Sequence, residues 1–504
     1  MHTFRTDEQS VRNKKLLNIS YFCSMTDNLR KKTTNSIIWN AIDKIGFQMI
    51  AFVVGVVTAR LLTPDDFGLI GALAIFTLLS NTLVEGGFTS ALIRRENNTD
   101  EEYTAAFYFN LFLSVFFYAV LYFSAPLIAS FFKMPELCNL SRLLFLAVVL
   151  QSLGLVQNII LTKQFAFRIL TIANVTSVIL SGIITIVLIY FEFGYWALAW
   201  QIVLQVGFRS LLLWVLSSWR IKRNADFKVI KELFSFSTFL LINSIFVAIV
   251  KYIYNIIIGR LYTKQDLGYY SQAYKYQQIP SSIITATFSG VAYPVLSELN
   301  NNSQRQLAYF RKIMRITAFV IFPVMTGLCL MAEPLFSIVL TDKWLPAVPY
   351  FQILSIAAFV VPFHTLNLTL ITVKGFPKMM FLLEFIRNIL VLISLYFFFG
   401  NIQWMLFGFL VASYLSYFTD LFFIRKVSGY KIREQILDIL PYFVISIIMG
   451  GIIYLVSLSS LNLYLKTFFQ LMSGASFYLL VSHLLGSKVI RDAVEIFRPK
   501  SNKK

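Results

Sequence analysis

Apolar residues fall in long runs broken by charges, glycine and proline, without the short alternation of half-buried strands. Reading each run of about 20 residues as one membrane-spanning helix predicts spans near residues 36–61, 67–93, 104–132, 142–162, 169–191 and 195–218. A basic stretch, 219–233, follows. Six more spans lie near 234–262, 267–296, 313–340, 347–373, 379–400 and 403–424, and two last ones near 439–458 and 463–486. The loops on one side carry Arg30, Lys31 and Lys32, then Arg220, Lys222 and Arg223, then Arg425 and Lys426, and the tail ends in Lys503 and Lys504. The opposite loops are short and poor in basic residues. The positive-inside rule therefore places the basic side, with both termini, in the cytoplasm.

Composition sharpens this picture. With 57% hydrophobic and 14% charged residues among 504, and a mean hydropathy of +0.70, a soluble enzyme is excluded. The 44 Lys and Arg against 25 Asp and Glu give a net charge of +19. On a soluble chain that would suggest nucleic acid. Here the cations mark topology and an anionic leaflet, so nucleic acid is not a partner. Cys23, Cys138 and Cys329 are too few and too scattered for a disulfide framework or a metal cluster. His2, His364 and His483 offer no zinc constellation. No G-x-x-x-x-G-K-[ST] loop and no G-x-S-x-G elbow is present, so no nucleotide cofactor is expected and active transport would draw on an ion gradient or the membrane potential. The first 35 residues lack the apolar stretch of a signal peptide and read as a cytoplasmic extension.

An internal repeat sets the architecture. Ala59 to Gly68 reads A-R-L-L-T-P-D-D-F-G, and Gly259 to Gly268 reads G-R-L-Y-T-K-Q-D-L-G, with Arg60, Leu61, Thr63, Asp66 and Gly68 recurring 200 positions later. The copies follow the first and seventh spans, which cross in the same direction. Two six-helix lobes (36–218 and 234–424) related by a pseudo-two-fold along the membrane normal are the consequence, joined by the linker 219–233. Spans 439–486 add two extra C-terminal helices after a loop at 425–438, and 487–504 form a basic tail. Within the repeat, the residues read as structural: Thr or Asp caps the next helix, Gly breaks the turn, Arg reaches the interface.

Three segments carry a family resemblance: S-I-I-W-N-A-I-D-K (Ser36 to Lys44), A-R-L-L-T-P-D-D-F-G-L-I-G (Ala59 to Gly71), and G-Y-Y-S-Q-A-Y-K-Y-Q-Q-I-P (Gly268 to Pro280) running on to Y-P-V-L-S (Tyr293 to Ser297). In this order the chain resembles the polysaccharide-type transporters of the multidrug/oligosaccharidyl-lipid/polysaccharide exporter superfamily, the Wzx-type flippases. The resemblance implies a flippase that moves an undecaprenyl-diphosphate-linked oligosaccharide from the inner to the outer leaflet of the cytoplasmic membrane, for O-antigen, capsule or exopolysaccharide assembly. It also implies lobes rocking around a cationic cavity while the polyprenyl tail stays in the lipid bilayer, with a polysaccharide polymerase and chain-length machinery as further partners.

Charges within spans are the candidate site residues, because each costs on the order of 3 kcal/mol to insert. Lys251 and Lys275 lie roughly 15 Å from the outer ends of their spans, too deep to snorkel out easily. A diphosphate needs such cations, which makes these two the leading substrate-binding candidates. Lys44 is a further candidate, with Asp43 beside it as an alternative partner, and Arg209 could meet the headgroup near the cytoplasmic end of its span. Tyr274 and Tyr276, deep in the eighth span, could stack on sugars. Glu85 and Asp420 are the candidates for ion coupling, though each lies toward the inner end of its span. Glu384 and Arg387, three apart, read as a self-satisfying pair. Pro280, Pro294, Pro323 and Pro362 predict kinks. A drug or metabolite antiporter of the same superfamily is the alternative. It should place carboxylates in its cavity, and no acid as deep as the two lysines is expected in the second lobe. A membrane-embedded glycan polymerase or ligase would need a large outer loop, which is missing.

Overall fold

A computed structural model describes residues 46–85, 98–224 and 244–486, together with Trp39, Leu92, Arg95, Asp226 and Val489. Asp43, Lys44, the N-terminal extension, most of the basic linker and the C-terminal tail lie outside the described residues, as does the side chain of Glu85. The helices are α1 (Gly46–Leu61), α2 (Pro64–Glu85), α3 (Asp100–Phe132), α4 (Leu137–Lys163), α5 (Phe167–Tyr190), α6 (Tyr195–Leu216), α7 in two pieces (Ser244–Lys251 and Ile253–Leu261), α8 (Lys264–Glu298), α9 (Ser303–Leu330), α10 (Ala332–Val339), α11 (Val348–Ala357), α12 (Val361–Val373), α13 (Pro377–Phe397), α14 (Ile402–Ser428), α15 (Ile432–Ser457) and α16 (Leu463–Leu484). No strand occurs among the described residues. Among the described residues ten stretches are long and apolar enough to cross a membrane, and the pieces of α7, bent by 42°, make an eleventh.

The chain divides into two units, residues 1–58 with 76–246 and residues 59–75 with 247–504. In the first, Thr99 and Glu102 form a reciprocal cap that starts α3. Polar atoms inside the unit find local partners, as bilayer burial demands. The Ser114 and Ser152 hydroxyls meet at 2.8 Å between α3 and α4, and Trp214 donates to the Leu153 carbonyl at 2.8 Å. Phe107 packs edge to face on Trp214, and Trp219 lies tilted against both rings at this junction.

In the second unit, the core of α8, α9, α12 and α14 is built from Phe310, Met314, Ile321, Phe363, Leu370 and Ile424. The last two helices are fastened to it. On α15, Asp438 accepts from Arg311 at 2.7 Å and from Arg315 at 3.2 Å, and Tyr430 also donates to it. Tyr478 on α16 donates to the Phe319 carbonyl at 3.0 Å.

Several expectations are corrected. The ninth span, expected at 313–340, is instead α9 over Ser303–Leu330, followed by the separate α10. Arg311 and Arg315 look like a span boundary in sequence, yet ion pairing to Asp438 lets them stay helical. Pro362 does not kink a continuous helix. It opens α12 after a 3-10 turn at Ala358–Val360, where its missing N–H is harmless. The repeat's Thr and Asp do cap their helices: Thr63 with Asp66 at 2.8 Å, and Thr263 with Asp266 at 3.2 Å. Its glycines, however, lie inside α2 and α8 and do not break turns. A Cβ on Gly68 would overlap the Lys264 carbonyl, and one on Gly268 would overlap the Pro64 carbonyl. This reciprocal crossing explains why 59–75 groups with the second unit. Arg60 has protein partners as well: its guanidinium donates to the carbonyls of Val339, at 2.7 Å, and Ile338.

Candidate functional site

The 42° bend of α7 falls at Tyr252, so Lys251 is the last residue before the break. It lines a cavity of about 270 Å³ in the second unit, with Tyr254 from α7, Tyr270, Tyr274 and Gln278 from α8, and Glu384, Arg387 and Asn388 from α13. Every one of these positions is about 10 Å or more from the end of its helix at 1.5 Å per residue, except those beside the α7 break. The rings of Tyr270 and Tyr274 stack with centroids 6.1 Å apart. Glu384 lies 4.0 Å from the Arg387 guanidinium. Two cations and one acid leave the lining net positive.

This geometry suits an anion bearing several oxygens. Lysine offers a mobile ammonium and arginine a planar fork, the two donor types that bind phosphate. The volume falls just under the range of small-ligand pockets, enough for the charged junction of a larger molecule and too little for an oligosaccharide. The neighbouring tyrosines present aromatic faces of the kind that stack on sugars.

The sequence-predicted residues separate here. Lys251 and Tyr274 come together in the cavity. Lys275 is exposed on α8, outside the cavity lining, with its ammonium 5.9 Å from the Tyr276 ring. Among the described residues neither lysine has an acidic group within 4.0 Å. Tyr276 is buried edge-on against Phe336, in packing. Arg209 belongs to the first unit, where its guanidinium donates to Asn174 at 2.6 Å and to Asn158 at 3.0 Å.

Asp420 is fully buried, not hydrated at a span end, and its Oδ2 meets His364 Nδ1 at 2.6 Å. The expectation of no deep acid in the second half is therefore corrected, since Glu384 lines the same cavity as Lys251. Two residues were missed. Spacing pairs Arg387 with its helical neighbour and leaves His364 isolated, although an ionisable side chain inside a span is itself the signal. Among the described residues no trio of His, Cys, Asp or Glu could hold a metal ion.

Comparison with known proteins agrees with this architecture. A membrane protein of the cps region of Klebsiella pneumoniae, itself uncharacterized, is 24% identical over 490 residues, covering 93% of this chain and 98% of that protein. The succinoglycan biosynthesis transport protein ExoT of Rhizobium meliloti is 25% identical over 335 residues, 66% of this chain and 68% of that one. The fold is that of the lipid II flippase MurJ in its inward closed conformation, with a TM-score of 0.75 at 16% identity, covering 90% of this chain and 100% of MurJ. That fold agrees with about fourteen membrane helices. The chain is a multi-pass membrane protein. The family described as "Polysaccharide biosynthesis protein" matches residues 57–349, more than half of the sequence, and the chain belongs to that family.

Proposed function

We propose that the chain flips an undecaprenyl-diphosphate-linked oligosaccharide from the cytoplasmic to the outer leaflet of the cytoplasmic membrane, for surface polysaccharide assembly. The observation that carries this reading is the pairing of Lys251 with Arg387 in one cavity deep within the helices. A phosphate entering it replaces lost hydration with charge-assisted hydrogen bonds, while stacked Tyr270 and Tyr274 face the first sugar. The polyprenyl tail needs no cavity and stays in lipid. Moving negative charge outward across a membrane that is positive outside is downhill by about 2.3 kcal/mol per charge per 100 mV, so the potential can drive export.

The reading is consistent with the name of the transport protein ExoT and with the MurJ fold. The test is the lipid-linked intermediates of a deletion strain. Complete oligosaccharide should accumulate on its carrier facing the cytoplasm, and the intact gene should clear it while Lys251→Gln does not. An unchanged intermediate pool would overturn the proposal. Glu384 in the cavity lining favours a second reading, an antiporter of cationic drugs or metabolites. A deletion that alters drug sensitivity alone would select it.

A further inference from the structure

Resting on that reading of Lys251 and Arg387 as the phosphate site, a second element lies behind the cavity. His364 on α12 holds Asp420 on α14 through Nδ1 at 2.6 Å, while its Nε2 faces Glu384 Oε1 on α13 at 3.5 Å. The other Glu384 oxygen is the one 4.0 Å from Arg387. Glu384 and Arg387 line the cavity; His364 and Asp420 are buried, 4% and 0% exposed. Around the pair, His364 Nε2, Asp420 Oδ1, the Ser416 hydroxyl and both amide atoms of Asn367 have no hydrogen-bond partner among the described residues. Buried polar atoms left unsatisfied are costly and rare, and Nε2, 3.5 Å from a carboxylate, lacks a hydrogen-bond partner that one added group would give it.

Charge counting identifies what that is. With His364 protonated, the two carboxylates are balanced by the imidazolium and Arg387. With His364 neutral, the group carries one uncompensated negative charge in a low-dielectric interior. Glu384 stands between two cations, and neither of its contacts is closed to normal hydrogen-bond distance.

We propose that His364 Nε2 binds a proton cooperatively with the substrate's phosphate, by drawing Glu384 away from Arg387. The Nδ1–H bond to Asp420 persists in both states, so the proton comes from water to Nε2 and leaves from it. Protonated, Nε2–H donates to Glu384 and the Arg387 guanidinium is freed for phosphate. Deprotonated, Nε2 presents a lone pair to Glu384, which returns to Arg387 and withdraws that cation from the cavity. By linkage, phosphate binding raises the proton affinity of His364 in equal measure. In a carboxylate exchanger the proton and the substrate compete; here they help each other.

The surroundings leave few other titrating groups. α14 contributes Asp420 and Tyr417, the latter 5.9 Å from Phe363 by ring centroids. α13 contributes Glu384 and Arg387, α8 contributes Tyr270 and Tyr274, and α7 contributes Lys251 and Tyr254 to the cavity. Ile316–Met325 of α9 and Gln277–Ser289 of α8 contain no ionisable residue.

The test is calorimetric titration of farnesyl diphosphate into the purified full-length protein at about pH 5.5 and about pH 8.5, a range centred on histidine titration. The diphosphate's own last protonation is common to all variants, so differences between them isolate the protein. Affinity of the unaltered protein should fall with rising pH by about tenfold more than that of His364→Gln, within the usual range of coupling between sites. Glu384→Gln should bind at high pH as tightly as the unaltered protein does at low pH, a gain that a damaged fold cannot produce. Equal pH slopes in the unaltered protein and His364→Gln, or no gain from Glu384→Gln, overturn the proposal. Should Lys251→Gln leave affinity unchanged at both pH values, the phosphate site itself is elsewhere and the underlying reading fails, an outcome distinct from the first.

Discussion

Replacing Gly68 by alanine puts a methyl group where the Lys264 carbonyl already stands, and the mirror change at Gly268 does the same against the Pro64 carbonyl. Overpacking of this kind costs about 1–3 kcal/mol. The upper end, about 3 kcal/mol, applies because the obstacle is backbone at the first turn of a capped helix and cannot rotate aside. Both substitutions strain one crossing. Once the first has parted α2 from α8, the second finds room, so the double variant should lose less than the sum of the two, with a coupling of about 1 kcal/mol or more. Gly290 on α8 and Gly327 on α9 have nothing within 4 Å of an added Cβ, and alanine there should be neutral or slightly stabilising. Thermal unfolding of the purified protein in detergent measures all five variants. A Gly68→Ala protein as stable as the parent, or a double variant whose loss equals the sum, would refute the crossing.

Other expectations follow from the same contacts. Asp438→Asn leaves Arg311 and Arg315 without their shared carboxylate and should cost about 3 kcal/mol in the same unfolding assay. Trp344→Phe removes the indole N–H that donates to the Ala59 carbonyl at 2.9 Å, with the ring fully buried between Phe67 and Tyr269; a loss of about 1–3 kcal/mol is expected. Tyr274→Leu should lower the rate of transport with little change in stability. Tyr276→Leu should do the reverse, since its ring packs on Phe336 and lies outside the cavity lining.

What the sequence could and could not convey divides along the range of the interactions. Helix starts at Thr63 and Thr263 were legible because a cap is read within four residues, and the apolar runs fixed the helical class. The start of the ninth span lies earlier than expected because Arg311 is neutralised by Asp438, 127 positions away. Spacing alone showed Glu384 beside Arg387. It could not show that His364 lies 3.5 Å from the same carboxylate, because that meeting depends on how α12, α13 and α14 pack. Lys251 and Lys275 looked equivalent by depth. The bend at Tyr252 and the helical phase of α8 put only the first into the cavity lining. For Gly68 and Gly268, recurrence was visible, but the need for glycine was a helix crossing and not a turn.

The central claim is that Lys251 and Arg387 together receive the phosphate of a lipid-linked substrate. Photo-crosslinking of the reconstituted protein with a polyprenyl diphosphate carrying a photoreactive group beside the phosphates, followed by mapping of the labelled peptides, addresses it directly. The account predicts label on the α7 and α13 peptides containing these two residues, reduced by unlabelled polyprenyl diphosphate and by Lys251→Gln. Label confined to other helices, and indifferent to that substitution, would contradict it.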